Sequence, residues 1–407
     1  MLFRSIMKDQ IGFGIIGCGQ VSRVGHGPAI SADSRAMLVA VVDPDADNRA
    51  SFARRFKVSH AYKNHKEMFA KERLDAVIIA TPPWLHREIF EDCISASVHI
   101  LCEKPLATTH ADSRRMIELA EGHDKIVQIC HSKRFETGFQ RIKEWCDQST
   151  LGRIYQISIA WHYYIPDFSR GFLRKGLDLF KKAGIDFEKK YGAWRYFDLR
   201  AGGGDFFDHG PHYIDLMRFF FGEIESIYCK TGFSYPGRKF EDQAIATFTL
   251  SNGALAVMEK SNLAMGRPDG FERGTIHAEK AKVRFEAFQE YQHRPMKLGI
   301  YKVPNIIPDI YTPVCLPRGI HNTLYFRQMT HFIDRMTGED SLTRNFGGKW
   351  AADIRDAAIA VAWTLAAYQS SKEGREIKRK ELFMNSSNLN TPFCKRGRKV
   401  RLWGDGV

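Results

Sequence analysis

The sequence predicts a two-domain protein: an N-terminal α/β domain with a doubly wound parallel sheet, then an α+β domain with a mostly antiparallel sheet. Two observations predict it. In the first third of the 407 residues, short apolar runs alternate with helical patterns, as in sheets buried on both faces. After about residue 131 the runs lengthen, alternate in strand fashion and are joined by turns, which is typical of antiparallel strands.

The elements follow in order. In the first domain, strands are expected at 11–16, 37–42, 76–80, 98–102 and 126–130, and helices at 50–56, 86–95 and 111–120. In the second domain, strands are expected at 153–164, 225–235, 243–250, 254–262, 275–278 and 282–288, and helices at 321–337 and 351–371. The last helix is expected to pack back on the first domain. The predicted domains are therefore 1–131 and 132–378, followed by a basic extension over 379–407. The proline-rich stretch 289–318 shows no clear period.

The charge of +13 does not indicate nucleic-acid binding, because nine basic and three acidic residues fall between Arg375 and the C-terminus. This distribution favours a solvated basic tail over a nucleic-acid site. The chain has no run of about 20 apolar residues for a membrane span, and 1–10 lacks the apolar core of a signal peptide. We therefore expect a cytoplasmic protein without nucleic-acid or membrane partners. Its eight cysteines include no C-x-x-C pair, so a zinc ribbon is not expected.

A glycine-rich turn follows the first predicted strand. It reads Gly17-Cys18-Gly19-Gln20-Val21-Ser22, a G-x-G-x-x-S variant of the dinucleotide-binding turn. Gly17 permits the tight turn, Gly19 lets the backbone approach a pyrophosphate, and the small Ser22 packs helix against strand. The N–H groups that open the next helix, at Gln20 and Val21, point at the phosphates. Alone, this pattern is also common in turns that bind nothing.

An acidic residue at the end of the second predicted strand strengthens the dinucleotide interpretation. Asp43 lies 24 residues after Gly19, where a carboxylate can accept hydrogen bonds from the adenosine ribose. Its charge repels the additional phosphate of NADP, so NAD is expected in preference to NADP. The alternative is that 43–45 is only a turn after a strand.

Candidate catalytic residues occur in two segments. Lys104 ends the fourth predicted strand, at the sheet edge where doubly wound domains bind ligands. Asp208 and His212 lie four residues apart, on one face of a predicted helix in which Pro211 suits the first turn. A carboxylate beside an imidazole is typical of a general base. Two alternatives compete: a metal site at Asp208, His209 and His212, for which no further zinc-spaced ligand follows, and a purely structural role.

On these residues the chain resembles the glucose-fructose oxidoreductase / inositol dehydrogenase / rhizopine-catabolism (Gfo/Idh/MocA) family of dehydrogenases, over roughly 13–378. The segments that carry the resemblance are the 17–22 turn, Ala80-Thr81-Pro82-Pro83-Trp84-Leu85-His86, Glu103-Lys104-Pro105 and Gly202 through Asp215. Departures occur at Ser22, between Ile165 and Arg200, after Gln289 and in the tail. They leave the chemistry intact and the substrate open.

The resemblance implies an N-terminal Rossmann domain and a second domain with an open, mostly antiparallel sheet. That sheet commonly forms the face of a dimer or tetramer in the family. It implies that His212 takes a hydroxyl proton as hydride leaves carbon for the nicotinamide, that Lys104 polarises the same oxygen, and that Asp208 fixes the imidazole. It also places Thr81, Pro82, His86, Glu103 and Lys104 in the cofactor site. The Lys104–Pro105 bond is often cis in such families.

The substrate is expected to be a sugar, glycoside or cyclitol. Trp194 and Arg195 place an aromatic plane beside a guanidinium, which suits a polyol ring held against Lys104, Asp208 and His212. The segment 170–200 has nine basic and four acidic residues, so an anionic sugar is an alternative to the neutral one. Two further alternatives keep the fold: a redox-assisted lyase or hydrolase with tightly bound NAD, and a non-catalytic NAD-binding sensor.

Overall fold

The computed structural model describes residues 10–162, 194, 198–233, 239–262, 271–287, 296–302, 309–311, 323–339 and 350–384. Arg195, most of the basic segment before it and the tail beyond 384 lie outside these ranges. Within the described ranges, no helix is both long and apolar enough to cross a membrane.

A six-stranded, wholly parallel sheet forms the first domain and confirms the fold class predicted for it. Its strands are β1 (Ile11–Ile16), β2 (Ala36–Val42), β3 (His60–Tyr62), β4 (Ala76–Ile79), β5 (His99–Cys102) and β6 (Val127–Ile129). They lie in the order β3-β2-β1-β4-β5-β6, so the winding direction reverses between β1 and β4. Ligands of such sheets bind outside the carboxyl ends of the strands at this reversal.

Helices cover both faces of this sheet. They are α1 (Gly27–Ala32), which follows a π-helical turn (Ser22–His26), α2 (Ala46–Phe56), α3 (His65–Lys71), α4 (His86–Ser95), which follows a 3-10 turn (Pro83–Leu85), and α5 (His110–Glu121). Asp45, Asn64 and Thr109 cap α2, α3 and α5 by accepting backbone N–H groups of the first turn. The edge strand β3 was not predicted, because its three residues are exposed or half-buried and form no apolar run.

A nine-stranded sheet forms the second domain. Its strands are β7 (Ile154–His162), β8 (Ile224–Gly232), β9 (Gln243–Leu250), β10 (Leu255–Ser261), β11 (Phe271–Ala278), β12 (Ala281–Ala287), β13 (Lys297–Lys302), β14 (Asp309–Tyr311) and β15 (Ile377–Lys378). The order is β14-β13-β12-β11-β7-β10-β9-β8-β15, and among these described strands only β7 and β10 pair in parallel. This confirms the predicted mostly antiparallel sheet. The strands β13 and β14 lie in the proline-rich stretch, for which the sequence predicted no element.

The remaining helices pack on one face of the second sheet or return to the first. They are α6 (Thr137–Asp147), α7 (Asp205–Phe221), α8 (Thr323–Thr337), α9 (Ile354–Glu373) and α10 (Arg379–Met384), with 3-10 turns at Ser132–Phe135 and Leu199–Ala201. Leu382 of α10 packs against the core of the second domain, so the packed chain extends beyond residue 378.

The C-terminal helices join the two domains. In α9, Ala357 and Val361 pack into the core of the first domain, whereas Ile359 and Trp363 pack into that of the second. Its middle part, from Ala357 to Thr364, is buried throughout, as expected for a segment that packs between two cores. Tyr325 of α8 likewise belongs to a core cluster of the first domain. The parallel sheet therefore depends on residues from the far end of the chain.

Candidate active site

The turn after β1 adopts the geometry that a dinucleotide requires. Gly17 has a φ of +103°, and its N–H donates to Val42 O at 2.8 Å. A Cβ atom on Gly17 would lie 2.4 Å from Ala80 O, so both the conformation and the space demand glycine. At Gly19, by contrast, a Cβ atom would meet nothing within 4 Å. This open position leaves room for a phosphate to approach the backbone.

Ser22 closes the turn from below. Its buried hydroxyl donates to Gly17 O at 2.6 Å, and the π-helical turn begins at this residue. Gln20 is exposed and Val21 is half-buried, so the start of the helix is accessible. The turn thus places backbone N–H groups at a helix N-terminus, and that they bind a phosphate stays a prediction.

Asp43 is held against this turn. Its Oδ2 atom accepts from Cys18 N at 2.8 Å, and its Oδ1 atom accepts from Asp45 N at 2.9 Å. Burial raises the pKa of Asp43 above its usual range, although both hydrogen bonds act in the opposite direction. The carboxylate thus joins β2 to the glycine turn and still has lone pairs for ribose hydroxyls.

The segment after β4 also borders the predicted cofactor site. The buried Oγ1 atom of Thr81 has no hydrogen-bond partner among the described residues, which fits a polar group of a cofactor at this position. His86 is placed differently from the expectation that it lines the nicotinamide. Its ring is fully buried, with Nε2 2.9 Å from Thr81 O and Nδ1 3.2 Å from Leu106 O. His86 thus ties the Thr81–Pro82 segment to the chain after Lys104.

Lys104 and Asp208 meet across the two domains. The Lys104 Nζ atom donates to Asp208 Oδ1 at 2.9 Å and to Asp208 O at 2.7 Å. The side chains are 13% and 16% exposed, so the pair is mostly shielded from water while remaining accessible from the cleft. The Lys104–Pro105 bond is cis, as the resemblance implies. The sequence predicted the two residues together without predicting that they form an ion pair.

His212 lies one helical turn after Asp208. Burial lowers the pKa of His212 well below its usual range, and the positive charges of Lys104 and Lys133 act in the same direction. The imidazole is therefore neutral at neutral pH and can accept a proton. The His131 ring stands edge-on to it, with centroids 5.9 Å apart. That Asp208 orients His212 remains a prediction. The Asp208 carboxylate contacts Lys104 and also lies 3.6 Å from Nδ1 of His209.

The helix that carries these residues starts earlier than the sequence indicated. The expectation that Pro211 lies in the first turn is wrong, because α7 begins at Asp205 and Pro211 is in its interior. Proline lacks the N–H that would donate to the carbonyl four residues before it, so it interrupts the hydrogen-bond ladder at Phe207. Asp208 and His212 nevertheless share one face, as predicted.

A buried carboxylate positions the N-terminus of α7. Glu241 accepts from Gly204 N and Phe206 N, both at 3.0 Å, and from the Tyr368 hydroxyl at 2.7 Å. Space is limited, because a Cβ atom on Gly203 would lie 2.4 Å from that hydroxyl oxygen. Burial raises the pKa of Glu241 to about 7. Nothing in the local sequence around Glu241 signals this role.

Glu103 faces away from the cleft. Its Oε1 atom lies 2.8 Å from Nε2 of the buried His26, and its Oε2 atom accepts from Lys104 N at 3.2 Å. His26 ends the π-helical turn that follows the phosphate-binding glycines. Glu103 therefore connects the turn that follows the glycines to the backbone of Lys104. Its contact with the cofactor stays a prediction.

The aromatic residue predicted to contact the substrate has a partner that the sequence did not suggest. The Trp194 ring lies 5.1 Å from that of Trp84, and Arg200 Cζ lies 4.9 Å from the Trp84 centroid. The sequence singles out Trp84 only as part of the 80–86 segment that carries the family resemblance. Arg195, the other predicted substrate contact, lies outside the described residues.

The metal alternative has a different basis from the one considered in the sequence. In the described part of the chain, Asp205, Asp208 and His209 come close enough to share an ion, rather than a trio that includes His212. However, Lys260 already pairs with Asp205 and Lys104 with Asp208. Two ammonium groups thus neutralise the carboxylates that a cation would need, which disfavours a metal at this position.

Comparison with known proteins identifies two family models along the chain. The model of the GFO/IDH/MocA oxidoreductase family, NAD-binding Rossmann fold, matches residues 11–131. The model of the GFO/IDH/MocA C-terminal domain matches residues 139–284. Together they span the whole first sheet, strands β7 to β11 and part of β12 in the second sheet, and the segments that contribute Lys104, Asp208 and His212.

Individual relatives are distant. An oxidoreductase of Formosa agariphila is 29% identical over 54% of this chain and 64% of its own length, slightly less than two thirds. A myo-inositol 2-dehydrogenase of Thermotoga maritima is 26% identical over 62% of this chain and 69% of its own. A solved structure of levoglucosan dehydrogenase with NADH and levoglucosan superposes with a TM-score of 0.73, at 20% identity, over 91% and 99% of the two chains. At this identity the superposition shows a shared fold.

The two glycines of the turn should respond differently to alanine. We expect Gly17→Ala to lower the melting temperature strongly, because its Cβ atom would collide with Ala80 O at a positive φ. Gly19→Ala should keep the melting temperature and weaken NADH binding by about tenfold or more, because a methyl group would stand where a phosphate must approach. Thermal unfolding and NADH fluorescence titration measure the two effects. Wild-type NADH affinity in Gly19→Ala would contradict the assignment of the turn.

Glu241 should make stability depend on pH. Its folded pKa of about 7 lies above the ordinary value of 4.5, so the folded protein retains a proton that the unfolded chain releases between these values. Its contribution is therefore present below pH 4.5 and is lost as the pH rises to about 7, by up to roughly 3 kcal/mol. Glu241→Gln cannot titrate, so the wild-type melting temperature minus that of Glu241→Gln should decrease between pH 5 and pH 7. The exposed Glu118→Gln serves as the control, and a constant difference would refute the account.

Proposed function

We propose, from the premise that this chain belongs to the GFO/IDH/MocA family of oxidoreductases, that it transfers hydride between NAD and a secondary alcohol or ketone of a sugar, glycoside or cyclitol. The observation that carries the proposal is the contact of Lys104 with Asp208 one helical turn from a neutral, buried His212. A myo-inositol dehydrogenase among the relatives supports a polyol substrate.

The groups present fit a dinucleotide. The open backbone at Gly19 suits a pyrophosphate, Asp43 suits the adenosine ribose, and the unpartnered Thr81 Oγ1 suits a polar group of the nicotinamide half. When bound, NAD supplies the hydride acceptor. Asp43 supports NAD over NADP, because its carboxylate would repel a phosphate on the ribose 2′ oxygen.

In the proposed reaction, the proton of the substrate hydroxyl passes to His212. A neutral imidazole can accept it, and the buried site keeps His212 neutral at physiological pH. The Lys104 ammonium donates a hydrogen bond to the same oxygen and stabilises the negative charge that develops there. Asp208 holds Lys104 through its carboxylate and its backbone carbonyl. In the reverse direction, protonated His212 returns the proton to the forming alcohol.

The open face of the nine-stranded sheet supports a homo-oligomer. Helices cover one face, whereas Tyr155, Ile245 and Leu255 on the other remain 49%, 58% and 59% exposed. Ile245 and Leu255 lie on the adjacent strands β9 and β10. A second copy of the chain would remove this apolar surface from water.

Removal of the proton-transfer groups should stop turnover without loss of cofactor. We expect Lys104→Met and His212→Gln to lower kcat by roughly 10²–10⁴-fold, while the NADH affinity of His212→Gln stays near that of the wild type. The assay is NADH absorbance with NAD⁺ or NADP⁺ and a panel of sugars, glycosides and inositols. The exposed Lys71→Met is the matched control.

The pH profile gives a sharper readout. The positive charge of Lys104 helps to lower the pKa of His212. In Lys104→Met the pKa of His212 should therefore rise, and the acid limb of the pH–rate profile should lie at a higher pH than in the wild type. Equal turnover of His212→Gln and wild type would refute the proposed base.

Sugar products without accumulating NADH would indicate the redox-assisted lyase or hydrolase instead.

The oligomer should dissociate when charge is placed on the open sheet face. We expect Ile245→Lys combined with Leu255→Lys to shift the protein toward monomers in light scattering, because buried like charges oppose assembly. Gln369→Lys, on the exposed side of α9, is the control. A monomeric wild type, or an unchanged assembly in the double variant, would contradict the proposed interface.

A further inference from the structure

Two tryptophans form a right-angled notch between the domains. Trp84, in the 3-10 turn after β4, and Trp194, which precedes the Leu199–Ala201 turn, have ring centroids 5.1 Å apart and planes inclined at 84°. Both side chains are half-buried, so part of each remains accessible. Together with Asp198 and Arg200 they form what we call the aromatic corner.

The corner is built on segments that lead directly to the proposed reacting groups. Trp84 lies three residues after Thr81 in the same segment. The buried His86 ring contacts the carbonyl oxygens of Thr81 and of Leu106, which follows Lys104 by two residues. On the other side, the Leu199–Ala201 turn runs through Gly202–Gly204 into α7, which carries Asp208 in its first turn. A Cβ atom on Gly202 would lie 3.1 Å from Thr108 Cβ, so the glycine run before α7 touches the chain that follows Lys104. The corner therefore stands at the mouth of the cleft.

The corner also holds a paired acid and base. Arg200 donates from Nε to Asp198 Oδ1 at 3.0 Å and from Nη2 to Asp198 Oδ2 at 2.7 Å. The guanidinium lies over the Trp84 ring, with Cζ 4.9 Å from the centroid. The Asp198 backbone N–H donates to Trp194 O at 3.0 Å, which joins the charged pair to the second tryptophan.

These groups match the two kinds of surface on a sugar or cyclitol ring. Aromatic side chains pack against the apolar C–H face of such a ring, and each ring hydroxyl both donates and accepts hydrogen bonds. A carboxylate next to a guanidinium offers an acceptor and donors side by side. Adjacent hydroxyls can therefore bond to both members of the pair at once.

We infer that the aromatic corner binds the ring of a neutral polyol and selects against anionic sugars. The inference rests on the proposed function and narrows its substrate class. Arg200 lowers the pKa of Asp198 to about 2, so this carboxylate is ionised at neutral pH and faces any incoming anion. Lys104 is likewise already paired with Asp208. Among the described residues, a uronate or sugar phosphate would meet charge-balanced pairs rather than an unmatched cation.

Direct binding to the NADH complex tests the inference without relying on turnover. Isothermal titration would compare D-glucose and myo-inositol with D-glucuronate and glucose 6-phosphate, which carry a charge on a similar ring. We expect the neutral rings to bind at least about tenfold more tightly. Trp84→Ala and Trp194→Ala should each weaken neutral-ring binding about tenfold, and the phenylalanine variants should retain most of it.

The charged pair provides an opposite signature. Asp198→Asn should improve glucuronate binding relative to glucose by about three- to tenfold, because repulsion is removed and Arg200 is left unmatched. Arg375→Gln, which removes an exposed arginine paired with Glu373, should change nothing. NADH affinity should be equal in all variants.

Three results would overturn the inference: tighter binding of glucuronate or glucose 6-phosphate by the wild type, tryptophan variants without effect, or no binding of any neutral ring to the NADH complex. Failure of the proposed function looks different. In that case neutral rings would bind through the corner, while NAD⁺ and the same rings would yield neither NADH nor an altered sugar.

Discussion

The contact between Lys104 and Asp208 is the constraint on which the rest of the site depends. It joins the end of β5 in the first domain to the first turn of α7 in the second, across 104 residues of sequence. Because both side chains are largely shielded, their attraction is less screened than that of a surface pair. The additional bond to the Asp208 carbonyl fixes the lysine relative to the helix backbone as well as to the side chain.

Each partner is itself positioned by buried groups. Behind Lys104, Glu103 accepts from its backbone N–H and reaches His26, which ends the turn after the phosphate-binding glycines. Ahead of Asp208, Glu241 and Tyr368 hold the glycine run that opens α7. The proposed cofactor site and the proposed proton-transfer groups thus share one buried hydrogen-bond network. A displacement of the groups in one would therefore displace those in the other.

Burial and nearby positive charge keep His212 neutral, although the cations around it are paired with carboxylates. The cations beneath α7 are each paired: Lys133 with Glu272, Lys260 with Asp205 and Arg134 with Asp215. Buried pairs of this kind contribute little net stability, but loss of one partner leaves a costly isolated charge. Of these cations, Lys133 acts on His212 together with Lys104, and burial with their positive charge lowers the pKa of His212. Asp198 and Arg200 of the aromatic corner likewise form a pair of opposite charges.

The sequence by itself determined most strands of the two sheets and the segments proposed to carry the site, whereas the strands β3, β13, β14 and β15 were not predicted. Gly17 and Gly19 follow a buried strand, Lys104 ends another, and Asp208 and His212 are spaced by one helical turn, so local periodicity and motif spacing were sufficient. The start of α7 was misjudged, because Pro211 is tolerated in its interior once Glu241 caps the helix from another segment. Only the tertiary structure brought Trp84 to Trp194, His26 to Glu103 and Lys104 to Asp208. Such meetings depend on how distant segments pack, and no single local pattern encodes which side chains will share a cavity.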